Sequence, residues 1–480
     1  MNLKNIGNCK KIISISLTLL CVVFMSTVIL AADTLLSPPD KLVFPALEFD
    51  IAKPERIVLE NGIVLFIMED HELPVINING LIRTGSIYDP QGKEGVAELT
   101  GYMMRTGGTS KLTGDEIDER LDFLAATATI SISSDHASVS LSVLNKDADE
   151  GIELLSQMLM NPAFDKNKLK LAVQLKQENL RRLQDNPQRL AFREFNKLIY
   201  KNNPRGRFPS QKSLSRIKRG DLVKFHHRFF RPNNTMFAVT GNITKEEAVE
   251  KFTEYFGSWK KGKAVAEAPQ PEGISNAGIY YIDRKLPQST IVLGQFAPAK
   301  LDRDFYAFTV LDFVAGSGGF NSRIFEAVRS NEGLAYSAGS FYRARPTFGV
   351  FGAYAFTKTS STLQALGLIN SVLDEIRNNI LSQRELEWAK QSINNGFIFS
   401  FTSAEQIAIR QMNSEFENLP SDYMDNYTDN IEKVTSADLN RLAQKYLDKS
   451  NNVVLILGDT GGFEEYPAQL AEPEFIIPII

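Results

Sequence analysis

The chain is expected to adopt an α+β fold of two homologous domains, each a mainly antiparallel sheet with helices packed on one face. Three observations carry this expectation. Strand-like alternation of apolar and polar residues begins near Arg56, in runs such as 63–68 and 75–82. The stretch 260–276 holds Gly262, Pro269, Pro271 and Gly273 and few large apolar residues, so it reads as an interdomain linker; a new strand-like run follows at 279–282. The regions on either side of that linker match at a constant offset of 217 residues. Ile152, Leu155, Leu159, Phe164, Leu169 and Ala172 fall on Ile369, Val372, Ile376, Leu381, Leu386 and Ala389, and Asp221, Leu222, Phe229 and Gly241 fall on Asp438, Leu439, Tyr446 and Gly458. One register kept through two separated segments argues for a duplicated unit over coincident apolar spacing.

In chain order, Lys4, Lys10 and Lys11 precede an apolar run over 12–30, followed by Ala31 and Ala32, the layout of an export signal. The run is longer than a typical cleaved leader and lacks a clean small-x-small pair, so residues 1–32 are expected to be either a signal peptide or a membrane anchor. The rest of the chain would then be periplasmic or secreted, free or anchored. Cys9 and Cys21, the two cysteines, both lie in this segment, and Leu20 stands where a lipoprotein signal has a small residue. Beyond the leader, cysteine nucleophiles, cysteine metal ligands and disulfides are excluded. Pro38, Pro39, Pro45 and Pro54 mark an extended entry segment over 33–55. The first domain is expected over 56–259, the second over 277–465, and an apolar tail over 466–480. Within each domain the order is strands, a helix, more strands, several helices and a final strand at 235–240 or 453–457, which suits a sheet with helices on one side. A length of 480 residues, 43% hydrophobic content and a net charge of -4 provide ample core and no basic run to track phosphates, so nucleic acid is not expected as a partner.

The segment Gly95-Val96-Ala97-Glu98-Leu99-Thr100-Gly101-Tyr102-Met103-Met104 has apolar or small residues at 96, 99, 100 and 103, the spacing of a helix facing a core. Together with Leu81, Gly85 and Gly107-Gly108-Thr109, it resembles the site region of the pitrilysin/insulinase family of zinc peptidases. In that family such a helix carries an inverted His-x-x-Glu-His motif, whose histidines bind Zn²⁺ and whose Glu polarises the bound water. Here the motif positions are Glu98, Leu99, Thr100, Gly101 and Tyr102, so both histidines and the general base are absent. The resemblance makes Glu178, 76 residues after Tyr102 and set in Gln177-Glu178-Asn179, the counterpart of the family's third ligand. One ligand alone does not hold zinc. His71, His136, His226 and His227 are the only histidines, and their scatter is that of surface or capping residues. There is no phosphate-binding loop with a following Lys-Ser/Thr and no Gly-x-Ser-x-Gly elbow.

In the second domain, Ser322-Arg323-Ile324-Phe325-Glu326-Ala327-Val328-Arg329-Ser330-Asn331-Glu332-Gly333-Leu334-Ala335-Tyr336-Ser337 is similar to the family's most recognisable second-domain stretch. Where labour is divided between subunits, the resemblance implies that Arg329 and Tyr336 reach a zinc-bearing partner and contact the substrate carbonyl. A guanidinium and a phenol suit that task, because hydrolysis builds negative charge on the carbonyl oxygen. The structural alternative is that Arg329 caps a helix and Tyr336 fills the core. The resemblance thus implies a subunit inactive alone, with no cofactor of its own and zinc expected in the partner. The expected partners are a zinc-bearing homologue forming a heterodimer, or a second copy, and a peptide substrate adding to an open sheet edge. The alternative is a purely structural or peptide-binding subunit.

Overall fold

Two six-stranded sheets that share the order of five strands and differ in the sixth, an edge strand, organise the computed structural model, which describes residues 51–273, 277–379, 381–463 and 474–478. The leader over 1–32, the entry segment before Ile51, part of the linker and much of the tail lie outside the described residues. The first sheet contains β1 (Glu55–Val58), β2 (Val64–Glu69), β3 (Val75–Arg83), β4 (Thr127–Ile132), β5 (His136–Leu144) and β6 (Thr235–Gly241), in the order β1-β2-β6-β3-β5-β4. The second contains β7 (Gly278–Asp283), β8 (Gln288–Ala297), β9 (Ala335–Ala344), β10 (Gly349–Lys358), β11 (Val453–Gly458) and β12 (Glu474–Phe475), in the order β12-β7-β11-β8-β10-β9. Of the five shared strands, the last (β6 or β11) runs parallel to β2 or β7 and antiparallel to β3 or β8. The expected mainly antiparallel sheets are present, with β2–β6, β7–β11 and β7–β12 as the parallel pairs.

The helices of eight residues or more are α1 (Val96–Thr106), α2 (Gly114–Phe123), α3 (Ala148–Met160), α4 (Lys166–Arg182), α5 (Pro187–Tyr200), α6 (Arg219–Phe229) and α7 (Lys245–Phe256), then α8 (Phe305–Asp312), α9 (Thr362–Asn378), α10 (Gln383–Ile398), α11 (Ala404–Phe416) and α12 (Ser436–Tyr446). The 217-residue offset carries the starts of α4, α5 and α6 onto those of α10, α11 and α12. Their starts are set locally. Asp165 accepts from the amides of Asn167 and Lys168 ahead of α4, and Ser382 with Glu385, and Thr435 with Asp438, close capping boxes ahead of α10 and α12. No helix among the described residues is long and apolar enough to cross a membrane.

Strand pattern shows which faces must be covered. β5 alternates half-buried and buried residues, but all six residues of β11 are buried, as is most of β6, so these central strands need cover on both sides. Within each half, helices such as α1, α3 and α6, or α8, α9 and α12, build a core on one face, as expected. The opposite faces are covered by exchange. Leu190, Ala191, Phe195 and Ile199 of α5 pack on Tyr280, Val292 and Leu455 of the second sheet. Ala408 and Met412 of α11, at the same offset from Ala191 and Phe195, pack on Val64, Phe66 and Ala238 of the first. Polar links accompany the exchange: Arg56 donates twice to Glu415 at 2.6 and 2.7 Å, and Asn79 donates to Glu405 at 2.7 Å. The described part of the tail adds β12 beside β7, with the Phe475 ring 5.5 Å from that of Tyr281.

Phe195→Ala is expected to destabilise the chain by about 3–5 kcal/mol, since a fully buried aromatic leaves a cavity between the halves. Urea unfolding followed at Trp259 in the first half and Trp388 in the second, with the other Trp replaced by Phe, checks this. Coincident transitions at both probes are expected before and after the change.

Candidate functional site

The start of α1 is built by one buried carboxylate. Asp89 accepts from the amides of Gly95 and Ala97, both at 2.7 Å, and Gly95 adopts φ +109, where a Cβ would meet Leu214 at 2.7 Å. Burial pushes the Asp89 carboxyl up to about 7 against these hydrogen bonds. The helix then lies along β4. At Gly101, in the general-base position, an added Cβ would stand 2.9 Å from Cγ1 of Ile132 in that strand.

The other motif positions have acquired different partners. Glu98 forms an ion pair with Lys176 of α4. Tyr102, one turn on, is about half exposed. Glu178 accepts from Arg182 at 3.1 Å and Arg181 at 3.2 Å on its own helix, and these bonds hold its carboxyl below the usual range. Among the described residues no three His, Cys, Asp or Glu side chains converge as a metal set would require. The residues at the family's ligand positions therefore do not fit zinc: a carboxylate neutralised by lysine, a phenol and a carboxylate held by two arginines replace the expected donor set.

The histidines divide between surface and core. His71 is exposed, 2.7 Å from Asn242 and 3.3 Å from Glu69. His226 departs from the expected surface or capping role: it is buried in α6, its Nε2–H donates to the Leu159 carbonyl at 2.8 Å, and it stacks on Phe230. Burial pushes its pKa down to about 4.

The second-domain stretch is shaped by two π-helical turns, Phe313–Ser317 and Glu326–Asn331, a geometry often found at functional sites. Arg323 ties it to α10 by donating to both oxygens of Glu385 at 2.7 and 3.0 Å. Arg329 and Tyr336 come together. The Arg329 guanidinium lies 4.8 Å from the Phe325 ring centre, 5.7 Å from Tyr336 and 5.8 Å from Phe320. Tyr336 is 82% exposed, so it does not fill the core. Neither side chain has an ion pair or side-chain hydrogen bond among the described residues. Lys176, Ile132 and the Phe320/Phe325 platform were absent from the sequence reading. Phe320 and Phe325, nine and four residues before Arg329, were the only local signal for the platform, and Lys176 and Ile132 gain their roles from distant elements.

Two outcomes are expected. Gly101→Glu, which places the family's acid at this position, should destabilise the chain by about 1–3 kcal/mol through the Ile132 contact; urea denaturation at matched pH measures it, and relief by Ile132→Ala identifies the cause. For His226, the unfolded chain binds a proton below pH 6.5 while the folded chain resists until about 4. The His226 contribution to stability should therefore be lost as pH drops across that window, by roughly 2–3 kcal/mol, opposite in sign to the contribution of Asp89, whose raised carboxyl favours the fold as pH falls below about 7. His226→Phe should flatten this dependence in denaturation curves recorded from pH 7 to 4.

Comparison with known proteins agrees with this geometry. Residues 67–208 match the family model described as insulinase (peptidase family M16), and residues 216–393 match the model described as peptidase M16 inactive domain. A Rickettsia bellii protein described as an uncharacterized zinc protease is 25% identical over 346 residues, covering 70% of this chain and 81% of the relative. A Helicobacter pylori protein described as a non-peptidase homolog is 26% identical over 329 residues, covering 67% of this chain and 75% of the relative. The crystal structure of a peptidase M16 inactive domain from Pseudomonas fluorescens shares the fold with a TM-score of 0.78 at 24% identity, covering 86% of this chain and all of that one. With both domain models matched in order over more than half its length, this chain belongs to peptidase family M16.

Proposed function

We propose that this chain is the non-catalytic subunit of an M16 metallopeptidase and supplies Arg329 and Tyr336 to the zinc site of a partner subunit. The observation that carries the reading is a contrast between two surfaces. The α1 surface has lost its metal donors and is knitted shut by Glu98–Lys176 and by the close approach of Gly101 to Ile132. The Arg329–Tyr336 surface keeps a guanidinium and an exposed phenol side by side on an aromatic platform, with their donors uncommitted. Such donors stabilise the oxyanion formed when a peptide carbonyl is attacked, and they do so most strongly in a chamber closed to water. Zinc belongs to the partner in this reading, a homologue with an intact motif. The peptide binds extended, because β4 and β9 end their sheets and each leaves one edge without a neighbouring strand; on β4 the Ala128 carbonyl accepts from Arg105 at 3.0 Å. The N-terminal export segment puts this assembly in the periplasm or outside the cell.

A second reading, a purely structural or peptide-binding subunit, draws on the Helicobacter pylori relative described as a non-peptidase homolog. The two readings diverge on Arg329. Mixed with a zinc-bearing homologue, the chain should create peptidase activity that neither shows alone, and Arg329→Ala should lower kcat by about a hundredfold while gel filtration shows assembly unchanged. Activity indifferent to Arg329→Ala and Tyr336→Phe would favour the structural subunit. Stoichiometric zinc with activity in the isolated chain would overturn both.

A further inference from the structure

The open edges of the two sheets end at a common place. The turn after β4 carries Asp135 and the turn after β9 carries Arg345, and these residues form an ion pair at 3.0 Å. Around this pair the charge is one-sided. Arg205 also pairs with Asp135, and its guanidinium lies 4.8 Å from the Phe348 ring centre. Arg83, opposite His136 in the sheet, lies over Phe416 at 4.6 Å and donates to the Asn418 side chain at 3.4 Å. Arg343 stacks on Phe341 at 4.9 Å, and Arg207 donates to the Ile87 carbonyl at 3.3 Å. Arg205, Arg343 and Arg345 all act electrostatically on Tyr200, which places them in one neighbourhood.

The nearby carboxylates are already engaged. Asp135 is shared by two arginines, Glu417 holds Lys300, and Glu415 holds Arg56. The Nε–H groups of Arg205 and Arg207 are buried with no partner among the described residues. Guanidinium groups that outnumber the carboxylates beside them repel one another, and partial burial strengthens their attraction for any anion that enters. The cluster can be reached from solvent, since Arg343 is exposed and the Arg345 side chain is 42% accessible.

We propose that this interdomain arginine cluster binds acidic side chains of a peptide lying along the open edge of β4, so that the chain selects acidic peptides. Among the described residues β4 pairs only with β5; its Thr127, Thr129 and Ser131 are exposed, and it runs directly into the turn that holds Asp135. At about 3.3 Å per residue, a peptide paired with β4 brings a Glu or Asp two or three positions past Ile132 to Arg343 and Arg345. The proposal rests on the peptide-handling reading above, and it adds the chemical class of peptide.

The test measures binding by the purified chain without any partner. Fluorescence anisotropy is recorded with an unstructured peptide bearing several Glu, and with copies bearing Gln or Lys at the same positions, each with a free or an amidated C-terminus. The Glu peptide should bind about tenfold tighter than the Gln peptide, and the difference should shrink with added salt. Arg343→Gln, which breaks no ion pair among the described residues, and Arg345→Gln should each reduce the difference. Equal affinity for Glu and Gln peptides, or a preference that survives both arginine variants, would overturn the proposal. So would a preference lost on C-terminal amidation, which would assign the cluster to the terminal carboxylate. Absence of peptidase activity in the mixed-subunit experiment would remove the proposed catalytic role and leave this binding result standing.

Discussion

The central strands of both sheets are apolar on two faces, and the helices of one half cover only one of them. Everything else in the molecule follows from how the second face is covered. Exchange of α5 and α11 between the sheets buries Phe195 and Leu190 on one side and Met412 and Ala408 on the other. Burying Phe195, Leu190 and Met412 contributes about 1.5–3 kcal/mol each, well above what the accompanying surface ion pairs supply. The two halves are therefore coupled through their cores, and Arg56–Glu415 and Asn79–Glu405 set the register of the contact more than its strength.

The first half is stable at the motif helix through contacts of its own, without a metal ion. A helix that presents ligand side chains without their metal carries repulsion and unmet hydrogen-bonding demand. Here α1 needs no ion, because Asp89 anchors its first turn, Glu98 is neutralised by Lys176, and Gly101 lets the helix sit close to β4. The Glu98–Lys176 pair is part exposed, so it removes a liability more than it adds stability. Close approach at Gly101 brings helix and strand into van der Waals contact where a longer side chain would hold them apart. The surface has been rebuilt as packing.

The second-domain stretch keeps the opposite character. Arg323 and Glu385 fasten its base, and the π-helical turn that follows leaves Arg329 and Tyr336 outward on a platform of Phe320 and Phe325. Phe320 and Tyr336 are exposed while Phe325 is buried beneath, so the Arg329 guanidinium sits at the edge of an apolar surface that faces water. Structural economy alone gives no reason to maintain it.

The duplication was legible in the chain because a helix face repeats with its own period. The 217-residue register survives wherever packing selects residue type, from α3 to β6 and from α9 to β11. The loss of the zinc donors was legible for a related reason: coordination chemistry admits few residue types, so Glu98, Gly101 and Tyr102 declare its absence without coordinates. What the sequence by itself determined is thus what depends on local periodicity and on the identity of single side chains. Which sheet each exchanged helix covers, the meeting of Glu98 with Lys176, the burial of His226 and the meeting of Arg205 and Arg345 at Asp135 were decided only by the tertiary structure. These depend on contacts between residues tens to hundreds of positions apart, and neither hydrophobic pattern nor composition records which distant side chains will share one low-dielectric neighbourhood.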